Sequence, residues 1–208
     1  MKAFQRVRSV AVPYPVANVD TDQILPMPFL QKPRANNFGD YLFHVIRRDE
    51  QGRMRSDFVF NHPRYAQAAI LVAQHNFGCG SSREHAVWAL YDAGFRVVLA
   101  PSFGDIFYGN ALKNGLLPIR LPAQTISELL ALLVSSPDVL LEVDLAGQQV
   151  LVPGLSNLPF DIDPFSRHCL LHGMDELDYT LSLEPVIVEF EKSIPARASL
   201  TGVTAHPV

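Results

Sequence analysis

Between Ala69 and Leu121 the chain alternates short, wholly apolar runs with helix-length stretches, and this alternation limits the possible fold more than any other feature. The run AILVA from Ala69 to Ala73 has no polar residue at alternate positions, which marks a strand covered on both faces. NFGCG follows as a tight turn. Residues Ser81 to Ala93 read as a helix with Ala86, Ala89, Leu90 and Ala93 on one face, and Gly94 is placed to stop it. Arg96 to Ala100 returns as a β-rich strand. Ser102 opens a second helix that closes at Gly115, with Lys113 near its negative end, and LLPIRLP supplies another strand. The pattern is βαβαβ, in which helices join parallel strands.

Around this unit, Val7 to Val12 reads as a strand, with Pro13 and Pro15 interrupting it. Pro26, Pro28, Pro33, Asn36, Asn37 and Gly39 forbid a continuous helix or central strand, so residues 25–37 are expected to form a long, mobile loop. Farther on come an amphipathic stretch from Thr125 to Val134 and a hairpin through Leu141 to Val152 turning near Gly147. Helices are expected around Pro164 to His172 and Glu184 to Lys192. The expected fold class is α/β: a layered domain with a mixed, partly parallel sheet. At 208 residues and 48% hydrophobic content, one domain over 1–208 with a C-terminal helical extension accounts for the length.

Acidic and basic residues are interspersed around a formal charge of -4, which leaves no footprint for nucleic acid or an anionic membrane. No apolar run approaches membrane-spanning length, and the first residues lack the pattern of a cleaved leader. Cys79 and Cys169 are too few for a disulfide framework and fit a reducing, cytoplasmic setting. They are also too few to hold a four-iron cluster by three or four thiolates.

The segment Gly78 to Ala86, GCGSSREHA, carries the most chemistry, because it places a glycine turn, two hydroxyls, a guanidinium and a carboxylate where a strand passes into a helix. Ligands favour that junction in α/β sheets. One reading is a helix cap, with Ser81 as N-cap and Glu84 three residues on completing a capping box. The other starts from Arg83, a cation in the first helical turn, where the macrodipole is also positive and an anion would relieve the conflict. Glycine-freed N–H groups, two serines and an Arg fork suit a carboxylate. The two readings can coexist.

NFGCGSSREHA resembles a motif of the isopropylmalate dehydratase small subunits, relatives of the aconitase swivelling domain. So do NVDTDQI at Asn18 to Ile24, SFGDIFYGNALKNGLLPI at Ser102 to Ile119, and GMDELDYTL at Gly173 to Leu181. The four occur in order over nearly the whole chain. The resemblance implies a layered swivelling β/β/α domain and a hydro-lyase that moves a hydroxyl on an alkylmalate through an enzyme-bound alkene. The implied partner is a large subunit of 3-isopropylmalate dehydratase, which carries a four-iron four-sulfur cluster not bound by this chain. By similarity Ser81 is the base that takes the proton beside a carboxylate, and Ser82 and Arg83 bind that carboxylate. Asp22 matches an acidic position of the aconitase motif and is expected to orient active-site groups. The bland reading of Asp20 to Asp22 is an Asx-type turn. Arg34 stands opposite a carboxylate-binding arginine on a gapless count, although Lys32 lies close to the same register.

Met27 and Pro28 depart from the lysine and polar residue common in that loop. Met27, Phe29 and Leu30 favour an apolar substrate. Cys79 reads as a small filler beside the serines, or as a thiolate near a positive helix end. His85 lacks a second ligand at metal spacing; His168 and Cys169 read as packing residues. Two other functions fit: a sister hydro-lyase acting on homoaconitate or citraconate, and a non-catalytic anion-binding module.

Overall fold

The computed structural model describes residues 1–34, 38–80 and 83–193. Within them a seven-stranded sheet runs in the order β4-β3-β2-β1-β5-β6-β7. Its strands are β1 (Arg6–Tyr14), β2 (Ile70–Ala73), β3 (Val97–Ala100), β4 (Leu117–Arg120), β5 (Leu140–Asp144), β6 (Gln149–Leu151) and β7 (Leu158–Pro159). The first four are parallel and β5 to β7 join antiparallel, so the sheet is mixed and partly parallel, as expected.

β1 changes partner halfway along. Residues Arg6 to Val10 pair with β5, and Ala11 to Tyr14 pair with β2. Buried Ser9 marks the seam: its hydroxyl accepts from Ala69 N–H at 2.9 Å and donates to Val10 O at 2.8 Å. This division also explains why Pro13 does not interrupt the strand, contrary to expectation. Pro13 pairs with Val72 beyond the last residue matched to β5, so its missing N–H breaks no ladder on that side.

The apolar runs divide their side chains between two cores. Leu71, Ala73, Val98 and Ala100 face α2 (Glu84–Asp92) and α3 (Asp105–Lys113), whereas Ile70, Val72, Val97 and Leu99 face α4 (Ala123–Ser135) and α5 (Pro164–His172). Period-two geometry sends successive side chains to opposite faces, and with both faces covered no polar position survives. The first core also takes in Phe38, Leu42 and Phe43 from the connection between β1 and β2, where short 3-10 turns replace regular structure.

Both parallel-layer helices begin later than the sequence suggests. α2 starts at Glu84, with Arg83 at the N-cap and no side-chain cap. α3 starts at Asp105 with Gly104 at the N-cap, because the Ser102 hydroxyl instead accepts from Asn76 N–H at 2.8 Å. The hairpin turns at Leu145 to Gln148, as expected, and α5 ends on left-handed Gly173. A short helix missed from the sequence, α6 (Glu176–Ser182), is capped reciprocally by Asp175 and Asp178 and leads into α7 (Glu184–Ser193). No helix among the described residues is long and apolar enough to cross a membrane.

Candidate active site

The loops leaving the carboxyl ends of β1, β2 and β3 are bonded to one another through their main chains. Asn18 N–H donates to His75 O at 2.9 Å, Gly78 N–H to Val19 O at 2.8 Å, and Thr21 N–H to Cys79 O at 2.9 Å. On the other flank Phe77 N–H donates to Ser102 O and Gly104 N–H to Phe77 O, both at 3.0 Å. The ladder thus continues past the strands themselves. It holds the crevice outside the carboxyl edge, where open α/β sheets bind ligands, at a fixed width.

Two glycines allow this closeness. Gly78 has φ +72°, and a Cβ there would lie 2.2 Å from Phe107 Cγ; Gly80 has φ +89°, and its Cβ would lie 2.4 Å from Asp20 Oδ2. Any L side chain would meet both a left-handed backbone and an occupied space.

A short helix, α1 (Thr21–Ile24), follows β1. Asp20 caps it, accepting from Asp22 N–H at 2.5 Å, while Gln23 Oε1 accepts from Asp20 N–H at 3.2 Å. The Asx-type reading therefore holds for Asp20, and Asp22 is left to face the next loop. There Asp22 Oδ1 forms an ion pair with Arg83 Nη1. The Arg83 side chain is 18% exposed and that of Asp22 46%. Nη1 itself is buried, and among the described residues it has no aligned hydrogen-bond acceptor.

At the front of α2 a protein carboxylate, Asp22, pairs with Arg83. The helix begins at Glu84, whose carboxylate accepts from Asn114 Nδ2 at 2.8 Å, and the Ser81 half of the expected capping box lies outside the described residues. Asn114 Oδ1 in turn accepts from Trp88 Nε1 at 2.9 Å, so α2 is fastened to the end of α3. Ser81 and Ser82 lie outside the described residues; the backbone on either side, Gly80 and Arg83, lies within them.

Arg34 stands apart from Asp22 and Arg83. Its Nε and Nη2 donate to the two Asp92 carboxylate oxygens at 2.9 and 2.7 Å, and its guanidinium lies over the Trp88 ring. Asp92 is the last residue of α2 and Arg83 immediately precedes the first, so about 13 Å of helix separates the two arginines' anchors. Phe29 stacks on Tyr41 at 4.4 Å and Leu30 packs against the same core, which leaves Met27 exposed among the three loop residues expected to read an alkyl group. Residues missed from the sequence come nearer. Val45 and Ile46 line an open cleft of about 410 Å³ together with Asp20, Asp22 and Gln23. Their signal was the apolar pair inside HVIRR, and Val45 is 67% exposed.

Burial, helped by the charge of Asp20, pushes the Cys79 thiol up, which favours the filler reading over a reactive thiolate. His85 packs on Trp88 at 4.5 Å, and His168 packs against His172 and Tyr179. Cys169 is buried in α5. The described residues contain no cluster of His, Cys, Asp and Glu suited to a metal ion, and two cysteines do not supply the ligands of a four-iron cluster.

Residues 1–124 match the model of the aconitase C-terminal domain, the class that this sheet and its joined loops define. The 3-isopropylmalate dehydratase small subunit of Parvibaculum lavamentivorans is 45% identical over 93% of the chain and 96% of its own length. That of Paramagnetospirillum magneticum is 46% identical over the same shares. The chain belongs to the family of 3-isopropylmalate dehydratase small subunits. A crystal structure of the 3-isopropylmalate dehydratase of Methanocaldococcus jannaschii shares the fold, with a TM-score of 0.61 at 24% identity, over 90% of this chain and 99% of that one.

Proposed function

We propose that the chain is the small subunit of a hydro-lyase that interconverts 2-isopropylmalate and 3-isopropylmalate through 2-isopropylmaleate in leucine biosynthesis, acting in the cytoplasm with a large subunit. The observation that carries this reading is the Asp22–Arg83 ion pair, made across the joined loops of β1 and β2 in a chain of this family. Arg83 is a mostly buried cation held by Asp22, and its guanidinium is a fork of the kind that receives a substrate carboxylate. Asp22 fixes where the guanidinium points.

Ser81, between Gly80 and Arg83, takes the proton from the carbon next to that carboxylate, and the released electron pair forms the alkene as hydroxide leaves the neighbouring carbon. Rehydration in the opposite orientation returns the proton from Ser81. The guanidinium of Arg83, two residues on in the chain, and the front of α2 are the groups that would favour a deprotonated serine oxygen. Ser82 adds a hydrogen bond to the carboxylate. Arg34 reaches substrate only after leaving Asp92. Val45 and Ile46 give the isopropyl group apolar contact beside Asp22. A four-iron four-sulfur cluster on the large subunit supplies Lewis-acid chemistry at the hydroxyl.

The test is anaerobic reconstitution of the full chain with its large subunit, following alkene absorbance from 2-isopropylmalate, homoaconitate and citraconate. Turnover of 2-isopropylmalate supports the proposal. Preference for a rival acid reassigns the substrate, and anion binding without turnover in the intact complex removes the enzymatic reading.

A further inference from the structure

The last described helices bury nothing. Neither α6 nor α7 contains a buried residue, and α7 touches the remainder of the described molecule chiefly through α6. Yet both are rich in large apolar side chains: Leu177 and Leu181 are 65% and 58% exposed, and Val186, Ile187 and Phe190 are 62%, 42% and 64% exposed. Leu183, Ile187 and Phe190 fall at i, i+4 and i+7, the spacing of one helix face. Isolated apolar residues on a surface are ordinary; a helix whose apolar face has no described residue beneath it marks an interaction site.

A cavity of about 390 Å³ opens at the root of this extension, between α3, α5 and α6. Leu112, Phe165, Cys169, Met174 and Leu177 line it, and Lys113 and Glu176, paired at 3.0 Å, stand at the same place. Leu177 belongs both to the cavity and to the exposed ridge, so an apolar pocket and an apolar helix face meet at one residue. A pocket beside a ridge is the arrangement in which a partner's anchoring side chain becomes desolvated.

Charge indicates the kind of partner. Residues 175–193 carry six acidic side chains against one basic, whereas residues 1–174 carry equal numbers of each. With Arg197 as the remaining charge, the chain's net negative charge is thus concentrated around this apolar face. A second copy docking through the same face would bring like charges together, and an anionic bilayer would repel it. A protein groove with an apolar floor and a lysine- and arginine-rich rim is complementary.

Resting on the small-subunit reading above, we propose that α6, α7 and the adjoining cavity form the docking surface for the large iron–sulfur subunit, through such a basic-rimmed groove. This anchor lies on the helical extension and leaves the loops of β1, β2 and β3 uncommitted, so docking and covering of the crevice are separate contacts.

The experiment uses the full chain and the large subunit from the same organism, with binding followed by surface plasmon resonance. The variant carries Val186→Asp and Phe190→Asp, both at exposed positions, and circular dichroism verifies its fold. The expected result is a wild-type complex that weakens with rising salt, and a variant weakened at least about thirtyfold. A variant that binds as tightly as wild type overturns the inference while leaving the proposed function standing. So does a wild-type chain whose self-association alone is lost in the variant. If the wild-type chain does not bind the large subunit at all, both the inference and the small-subunit reading fall.

Discussion

Asp22 and Arg83, sixty-one positions apart in the chain, meet as an ion pair because Val19 O accepts from both Gly78 and Cys79 and so holds the loop of β1 against that of β2. Arg83→Gln is expected to lower kcat/KM of the reconstituted enzyme by roughly a hundredfold or more, since it removes a charge-assisted carboxylate contact. Arg83→Lys restores little of it, because an ammonium does not reproduce the planar fork. Steady-state kinetics decide the matter; near-normal rates in the glutamine variant would remove Arg83 from substrate binding.

Ser81→Ala is expected to abolish turnover while the variant still folds and binds the large subunit. Loss of a helix-front hydroxyl alone costs stability of only about 1 kcal/mol. Thermal unfolding and an alkene-formation assay on the same preparation separate the two effects. Full activity in the alanine variant would end the proposed role.

Gly80→Ala places a Cβ against Asp20 at a backbone φ of +89°. The expected cost is about 1–3 kcal/mol, read as a lowered Tm, together with reduced activity through displacement of the α1 cap. At Gly52, where φ is +77° and a Cβ would meet nothing within 4 Å, the same change carries the backbone cost without the collision. Comparing the two alanine variants isolates the steric part.

Arg34 offers a cleaner discrimination. If its fork serves as an anchor alone, Arg34→Ala and Asp92→Asn lower stability by similar amounts, about 1 kcal/mol each once solvent screening of this partly exposed pair is allowed for. If Arg34 also binds substrate after leaving Asp92, Arg34→Ala raises KM and Asp92→Asn does not. Kinetics on both variants distinguish the outcomes.

Because its thiol is pushed above the ordinary value, Cys79 stays protonated at neutral pH, and its alkylation by iodoacetamide is expected to accelerate only as pH climbs well into the alkaline range. Asp20→Asn keeps a capping oxygen but deletes the nearby negative charge. The thiolate then forms at lower pH and alkylation at a fixed pH speeds up. Mass spectrometry of the labelled peptide separates Cys79 from buried Cys169.

The parallel half of the sheet was legible in the sequence because strands covered on both faces admit only apolar residues, as Ile70 to Ala73 and Val97 to Ala100 illustrate. Helix starts were less legible. Ser102 looks like a cap by type and place, yet its oxygen accepts from Asn76, and Glu84 looks like half of a capping box while accepting from Asn114. Both choices are set by elements that approach only after folding. The strand through Pro13 depended on where β5 ends, and Arg34's partner lies 58 residues away. The short helix α6 did have a readable signal in Asp175 and Asp178, but it lacks the buried stripe that makes a helix conspicuous. At the site, Asp22 and Arg83 were legible as chemistry, but their mutual neutralisation was not, and the apolar pair in HVIRR did not by itself say that Val45 would stand beside Asp22.

The crevice is braced by amide-to-carbonyl links among Val19, Phe77, Cys79, Ser102 and Gly104, and those links do not depend on which side chains project from the same segments. On the proposed function, descendants of this scaffold could exchange exposed Val45 or Met27 and acquire a taste for differently branched acids, without the supporting framework having to be reinvented each time.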